Sequence, residues 1–521
     1  MSEEFENERK EGFETFRKLS APENLVNDTR LFDEKLTEIE IEELFRDIVA
    51  LKLHSLIDRL QAKNGLNAYT VLCAYAHKML ESQNRLNCVT EVILEAFDTA
   101  AASDKLWYNS EQKPPLYGVP FCVKCNFEIP FVFTNTSQGF FSSNNPHSPY
   151  GTTRNPWALD CTPGGSSGGE AALVADGGAP FGSGTDLVGS LRISAAFCGL
   201  VTLKPTQNRL HVSNDYGYGF YTRNVLDLIL LLKLVIGSPE YRELEPKSSP
   251  SPLKFVEKTG KYRIGFFDED GFNSPVPSNR RAVLDTVDQL KKDGHDVVRF
   301  EIENIDPKFS PFHVASMLFK DLTSKNDKNS YLNRYKNEPN DTFVERFATI
   351  SSLNKWKTVR RVATPIVSRF SKRMALISRA RCSSLAEVRK NQEEIEEYRL
   401  KFIEYWKSLK IDTLLCPAFC TPAIPHNYPS QLSNTVLSTG LFNLLDFPAG
   451  IVPVGNVTAE DMADLSDEKI FPINDLLLKK QREACANSEA MPIAVQVVGL
   501  PNEEEIVLEV MKIVEGFNEN K

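Results

Sequence analysis

The sequence predicts an α/β protein built on a mixed or parallel β-sheet. Between residues 262 and 301 an apolar run, a stretch with helical spacing and a second apolar run follow one another, which is typical of a strand–helix–strand unit. Toward the C-terminus three further runs are apolar at consecutive positions, as expected of central strands that are buried on both faces. The 521 residues, 41% of them hydrophobic and 25% charged, have the composition of a globular protein with one large domain or two to three ordinary ones.

The individual elements follow in chain order. Apolar residues recur every three or four positions in 36–62 and 66–84, so the chain is expected to open with helices. Strand-like runs follow in LYGVPFCVKC and PFVFTN, and LRISAAFCG opens either a helix or a buried strand. Further helices are predicted at 169–177, 226–237, 278–293 and 503–516, and strands at 262–268, 296–301, 412–419, 450–455 and 493–499. Asn502 and Glu505 have the spacing of a capping box for the last helix.

Charge and composition exclude several classes of function. A net charge of -10 argues against general nucleic-acid binding, which needs a basic surface to neutralise phosphates. The N-terminal residues are charged and lack the apolar core of a secretory signal, so the protein is expected to be intracellular and its ten cysteines mostly reduced. No run of about 18 apolar residues occurs, so a membrane-spanning helix is not expected.

One segment, 346–386, departs from the acidic trend. It contains no Asp or Glu but many Lys and Arg, and apolar residues recur in it every three or four positions. The pattern predicts a basic amphipathic helix pair that is kinked or broken at Pro365. It fits a solvated basic face on a core helix, and it also fits docking on anionic lipid. The candidate docking residues are Trp356, Lys357, Arg360, Arg361, Arg369 and Phe370.

Two glycine clusters carry the serines that bear on chemistry, Ser166 and Ser167 in the first and Ser190 in the second. Residues 165–169 match G-x-S-x-G, but the preceding NPWALDCTP is too broken by proline for the strand that a hydrolase elbow needs. The S-x-x-K matches at 251–254 and 352–355 lack a glycine-rich setting, and no phosphate-binding loop pattern occurs.

The remaining option pairs these serines with a lysine. A serine hydroxyl becomes a good nucleophile only when a base takes its proton, and lysine can be that base only when burial keeps it neutral. Lys124 stands in the apolar run FCVKCN, where a charged group is unusual. Its position also fits a structural lysine in a buried pair or on an edge strand, and the residues alone do not decide between the two.

The segment TPGGSSGGEAALVADGGAPFGSGTDLVGSLR, continuing as ISAAFCGLVTLKPTQNRL, resembles the signature of the amidase signature family of serine hydrolases, with its closest likeness to the fatty acid amide hydrolase branch. LYGVP, NPW, LLDFPAGIVPV and MPIAVQVVGLP extend the resemblance over nearly the whole chain. It implies a twisted mixed sheet with helices on both faces. The domains are then a charged N-terminal extension, 1–35, and a catalytic domain, 36–521, with 346–386 as a membrane-docking insertion.

The resemblance also implies roles for individual residues. Lys124 is expected to be the base and Ser166 the relay serine, with a cis peptide before or at it, while Ser190 is the nucleophile. The backbone N–H groups of Leu187, Val188, Gly189 and Ser190 are expected to form an oxyanion hole. Asp186 and Arg192 are expected to hold this loop by charge-assisted hydrogen bonds, and Ser167 to bond to Ser166 or Lys124.

The chain departs from the family pattern in three places. Val188 stands where the family usually has Gly, so a positive φ at that position would strain the loop. Ser194 replaces a usual Pro. The interval from Lys124 to Ser166 is short, and the connection after LKPTQNRL is compressed. This shortening indicates either a gene-model error or a diverged member with weakened activity.

The expected function is hydrolysis of fatty acid amides, including N-acylethanolamine-like lipids, with monoacylglycerol-type esters as a further substrate class. The alternatives are an inactive relative that binds lipid or a partner, and an amidase for small amides. No cofactor or metal is expected, and the expected partners are a lipid amide and a membrane surface, with a homodimer left open. The expected location is intracellular, in the cytoplasm or peripheral on the cytosolic face of internal membranes.

Overall fold

The computed structural model describes residues 3–26, 28, 36–124, 133–134, 150–210, 217–245, 248, 251–255, 260–325, 365–382 and 384–519. Its helices are α1 Glu3–Ser20, α2 Pro22–Leu25, α3 Glu38–Ala50, α4 Leu53–Gln61, α5 Ala68–Leu86, α6 Glu95–Trp107, α7 Gly168–Ala175, α8 Arg192–Cys198, α9 Val225–Gly237, α10 Pro239–Leu244, α11 Pro277–Lys292, α12 Pro311–Lys325, α13 Lys372–Arg379, α14 Leu385–Leu409, α15 Leu437–Leu444, α16 Ala459–Ser466, α17 Leu476–Ala484 and α18 Glu504–Glu519. The strands are β1 Val89–Glu91, β2 Cys122–Lys124, β3 Phe133–Thr134, β4 Gly182–Asp186, β5 Val201–Lys204, β6 Gly217–Thr222, β7 Arg263–Phe266, β8 Asp296–Arg299, β9 Thr413–Pro417, β10 Ala449–Asn456 and β11 Pro492–Val498.

The described strands form one mixed sheet in the order β1-β3-β2-β4-β6-β5-β10-β11-β9-β7-β8. Strand β2 runs parallel to β3 and β4, and β7 runs parallel to β8 and β9, whereas the other neighbours are antiparallel. The unit β7–α11–β8 is the strand–helix–strand unit that the sequence predicts. Strands β9, β10 and β11 are the three further apolar strands predicted toward the C-terminus. The predicted α/β class with a mixed sheet is confirmed.

Helices cover both faces of this sheet. Side chains that alternate along β9 enter two different apolar cores, Leu415 the larger one and Leu414 the other. The larger core includes Val283 and Val287 of α11, while the second includes Phe402 and Trp406 of α14. The predicted layering of helix, sheet and helix is therefore confirmed.

The first helix belongs to the segment that the sequence assigns to a charged extension, residues 1–35. Phe16 and Leu25 are nevertheless buried in the larger core. The guanidinium of Arg9 donates to the backbone carbonyls of Thr90 and Val89. This part of the segment therefore packs as one body with the residues that follow, and the division at residue 36 stays a prediction.

The start of the last helix differs from the expectation. Asn502 has φ +67°, a left-handed conformation, whereas an N-cap residue is normally extended. The carboxylate of Glu505 instead accepts a hydrogen bond from the backbone N–H of Lys254 and pairs with Arg209. The predicted capping box is thus wrong, because its two residues contact elements that are distant in sequence. The backbone N–H of Asn502 donates to Thr206, and the carboxylate of Glu505 contacts Lys254 and Arg209.

The described part of the basic segment is helical at residues 365–370 and again in α13. The helix is interrupted at Ser371, whose hydroxyl caps α13 by accepting the N–H of Met374. Trp356, Lys357, Arg360 and Arg361 lie outside the described residues, while Arg369 and Phe370 are exposed. Within the described ranges, no helix combines the length and the apolar character needed to cross a bilayer.

Candidate active site

The parallel pairing of β2 with β4 brings the first site residues together. Cys122 pairs with Gly182 and Val123 with Ser183, so Lys124 ends β2 beside the second half of β4. The glycine clusters lie just before α7 and α8. The site therefore lies at the carboxyl ends of parallel strands, the usual position for ligands in open α/β sheets.

Lys124 is completely buried, and its amine contacts three hydroxyl groups. Its Nζ lies 2.8 Å from Ser166 Oγ, 3.0 Å from Ser167 Oγ and 2.8 Å from Thr185 Oγ1. Lys124 and Ser166 are thus placed within direct hydrogen-bond distance, and Ser167 contacts the same amine. The peptide bond between Gly165 and Ser166 is cis.

The hydrogen bonds around Ser167 indicate which way the protons point. Its hydroxyl lies 3.2 Å from the carbonyl oxygen of Thr185, to which it can only donate. The hydroxyl oxygen of Ser167 also accepts the backbone N–H of Thr185 at 3.3 Å. Ser167 is therefore an acceptor toward Lys124 Nζ, which also donates to Ser166 and Thr185.

Ser190 lies in the loop between β4 and α8, folded back on the first glycine cluster. Its carbonyl oxygen accepts the N–H of Ser167 at 3.3 Å and the hydroxyl of Ser194 at 3.3 Å. The side chains of Ser166 and Ser190, both described, form no hydrogen bond with each other. Catalytic hydrogen bonds are often long or misaligned in a protein without substrate and form only when substrate binds.

A buried ion pair fixes the two ends of this loop. Asp186 ends β4 and Arg192 begins α8, and the guanidinium Nε and Nη2 donate to the two carboxylate oxygens at 2.9 and 3.0 Å. Both side chains are fully buried. Burial alone raises the pKa of Asp186, but the Arg192 guanidinium and the hydrogen bonds from Arg192 and Asn443 lower it to about 2.

The peptide group between Val188 and Gly189 is held on both sides. Its carbonyl oxygen accepts the hydroxyl of Thr439 at 2.6 Å, and its N–H donates to Asp186 Oδ1 at 2.7 Å. The N–H of Gly189 is therefore already engaged, contrary to its expected role in the oxyanion hole. Among the described residues the N–H groups of Leu187, Val188 and Ser190 have no acceptor, so these three are the candidate donors.

The expected strain at Val188 is not found. The left-handed residue of the loop is Gly189, with φ +121°, and Val188 is not at a positive φ. The Val188 side chain packs against the second core instead. A β-branched residue is tolerated there because the unusual backbone angle falls on its neighbour.

Sequence analysis missed the residues that support this loop from the C-terminal half of the chain. Asn443 on α15 donates to Asp186 Oδ1 and accepts from Arg192, and Gln496 on β11 accepts from Arg192. Thr439 lies one helical turn before Asn443. The signal that was available is a pair of polar residues four positions apart in an apolar helix.

The shortened interval between Lys124 and Ser166 lies mostly outside the described residues. Only β3 and residues 150–165 are described between the two. Within that part, β3 pairs in parallel with β2, Val123 opposite Phe133 and Lys124 opposite Thr134.

Comparison with known proteins agrees with this architecture. A family model described as Amidase matches residues 128–508. Fatty-acid amide hydrolase 1 of Sus scrofa is 32% identical over 509 residues, covering 90% of this chain and 86% of that protein. Fatty acid amide hydrolase 1 of Caenorhabditis elegans is 30% identical, covering 90% and 88%. A solved structure of a fatty acid amide hydrolase superposes with a TM-score of 0.72 at 22% identity, covering 99% of this chain and 96% of the other.

The family model extends over more than half of the chain, and the match to the Sus scrofa relative, at 32% identity, covers 90% of it. The chain therefore belongs to the amidase signature family and is a serine amidase.

Proposed function

We propose that this amidase hydrolyses fatty acid amides, including N-acylethanolamine-like lipids, through an acyl-enzyme on Ser190. The observation that carries the proposal is the buried amine of Lys124, 2.8 Å from Ser166 Oγ, beside the loop that carries Ser190. The lipid class rests on the similarity of the chain to two proteins named fatty acid amide hydrolase 1. Esters of the monoacylglycerol type are a second substrate class of the same proposal.

In the proposed reaction the protons move along two hydroxyl groups. Ser190 Oγ attacks the carbonyl carbon while its proton passes to Ser166 Oγ, whose own proton passes to the neutral Lys124 Nζ. The carbonyl oxygen becomes an oxyanion, which the N–H groups of Leu187, Val188 and Ser190 stabilise. The same groups then return the proton to the leaving amine, the C–N bond breaks, and water hydrolyses the acyl-enzyme.

Complete burial of the Lys124 amine supports a neutral base in this role, because a charged ammonium loses its hydration there. The proposal requires that the hydroxyl of Ser166, 2.8 Å from Nζ, turns to donate to the lone pair of the neutral amine.

The test is labelling with a fluorophosphonate probe together with turnover of oleamide. Ser190→Ala should abolish labelling and lower turnover by about 1,000-fold or more, since no other group replaces the nucleophile. Ser278→Ala is a matched control, because Ser278 is a buried serine on α11, far along the chain, and it should label like the wild type. A folded wild-type protein that is not labelled would contradict the proposal and favour the inactive lipid-binding relative. Turnover of acetamide in preference to oleamide would favour the small-amide amidase.

A second part of the proposal is peripheral attachment to anionic membranes through residues 365–379. Ile366, Phe370 and Met374 are 60%, 64% and 38% exposed in this stretch, and Arg369 beside them is exposed. Apolar side chains that enter the headgroup region together with basic ones are typical of interfacial helices. Arg373 does not contribute to the proposed membrane contact, because its guanidinium donates to the carbonyl oxygen of Phe272 and to the carboxylate of Asp475.

Co-sedimentation with phosphatidylserine vesicles tests this attachment. Phe370→Ser with Arg369→Gln should lower the bound fraction several-fold, because apolar burial and charge attraction are both lost. Leu244→Ser is the control, since Leu244 is 79% exposed but lies on α10, outside the basic segment. Equal binding of the wild type and the double variant would remove this part of the proposal. Attachment to the cytosolic face and homodimer formation stay predictions.

A further inference from the structure

The loop before the candidate nucleophile is held by a helix that lies far away in the sequence. Thr439 on α15 is completely buried, and its hydroxyl lies 2.6 Å from Val188 O and 3.3 Å from Val436 O. The shorter contact joins residues that are 251 positions apart. The hydroxyl has a single proton, so the better bond goes to the loop.

This bond fixes the orientation of the peptide groups beside Ser190. The plane of the Val188–Gly189 peptide is set by Thr439 at its oxygen and by Asp186 at its nitrogen. The N–H groups on either side of this peptide, those of Val188 and Ser190, are candidate oxyanion donors. A rotation of the held peptide would turn both of them, because they share its flanking backbone bonds.

Resting on the proposed function, we propose that Thr439 is a positioning residue for the oxyanion hole. Its hydroxyl, donated to Val188 O, sets the direction of N–H groups that meet the developing negative charge. Thr439 touches no reacting atom in this proposal. Its loss therefore weakens transition-state stabilisation and leaves substrate binding largely unchanged.

The experiment measures the rate at which a fluorophosphonate labels Ser190 in the full-length protein. The phosphoryl oxygen of the probe occupies the oxyanion hole, so this rate reports on the hole whichever amide is the substrate. Thr439→Val keeps the shape and removes the hydroxyl. It should label about 10- to 100-fold more slowly, and the kcat for oleamide should fall by a similar factor with KM changed less than about threefold.

Two variants separate positioning from a general loss of packing. Thr439→Ser restores the hydroxyl and should label within about threefold of the wild type. Thr435→Val is the matched control, since Thr435 is a buried threonine one turn earlier whose hydroxyl donates to Leu432 O, away from the loop. Thr439→Ala removes the same hydroxyl and provides the measurement if the valine variant does not fold.

Each outcome decides the matter. Equal rates for the wild type and Thr439→Val overturn the inference and leave the proposed function standing. Equal slowing of labelling in Thr439→Val and Thr435→Val also overturns the inference and leaves the proposed function standing. Labelling of Thr439→Ser as slow as that of Thr439→Val has the same consequence. If the folded wild type is not labelled at all, the proposed function fails and takes the inference with it.

Discussion

At position 189 the backbone needs glycine for two separate reasons. Its φ of +121° is a conformation that residues with a side chain rarely adopt. A Cβ atom there would also lie 2.0 Å from Thr439 Oγ1, well inside contact distance. Because Thr439 itself bonds to the loop, neither side has room to give way.

We therefore expect Gly189→Ala to move the loop and to lower the labelling rate of Ser190 by about 100-fold or more, the effect of a misplacement of about 1 Å. Gly237→Ala is the control, because a Cβ at Gly237 would meet nothing within 4 Å and its φ is not positive. Labelling of Gly189→Ala at the wild-type rate would contradict the close approach seen here.

Individual site residues could be predicted from the sequence only in part. The residues alone left Lys124 open between a base and a structural lysine, and only the resemblance paired it with Ser166 and Ser190. Thr185 gave no signal, because a threonine in a strand is ordinary. The sequence led us to expect that Asp186 holds the loop, but not that its carboxylate accepts the N–H of Gly189, because the choice of N–H depends on the conformation of the turn.

At the level of elements, local patterns were sufficient for most helices and central strands. The unit β7–α11–β8 and the strands β9, β10 and β11 were predicted because apolar runs and helical spacing are local signals. The order of the strands was not predictable in this way, since the neighbours β2 and β4 are separated by about sixty residues. The capping box predicted for the last helix was wrong because Glu505 contacts Arg209, a long-range interaction.

The basic segment shows the same limit. Proline is the usual marker of a helix break, and Pro365 was the expected position, but the residues before it lie outside the described part of the chain, so that break stays a prediction. Within the described part the helix is interrupted at Ser371, whose side chain caps the next helix. A serine in a basic amphipathic pattern fits a helix interior as well as a cap, so this interruption could not be predicted from the sequence.

At the level of the whole molecule, one buried lysine should affect stability as a function of pH. Lys204 ends β5, is 2% exposed and donates to Pro205 O. Burial, followed by the nearby Arg192 guanidinium, lowers its pKa from 10.5 to about 8, despite the opposing effect of Asp446, Asp186 and Glu504. Below pH 8 this amine is charged in the folded and unfolded chains alike, and burying it costs free energy.

Between pH 8 and 10.5 the unfolded chain keeps the proton that the folded chain has lost, so the contribution of Lys204 to the free energy of unfolding rises with pH. Lys204→Met should therefore be more stable than the wild type at pH 7, by up to about 3 kcal/mol, and this gain should shrink toward pH 10. Urea midpoints of both proteins at the two pH values measure it. Lys292→Met, at an exposed position on α11, should show no such pH-dependent gain, and a gain for Lys204→Met that is constant with pH would contradict the argument.

The hydrogen bond between Thr439 and Val188 spans 251 positions, and the bond between Arg192 and Gln496 spans 304. During synthesis on the ribosome the first 200 residues emerge with Lys124, Ser166 and Ser190 all present, but without either of these partners. A nascent chain of that length thus carries every proposed reacting group while both of these long-range contacts are still missing. The loop of Ser190 and the neighbouring Arg192 gain them only once residue 496 has left the exit tunnel.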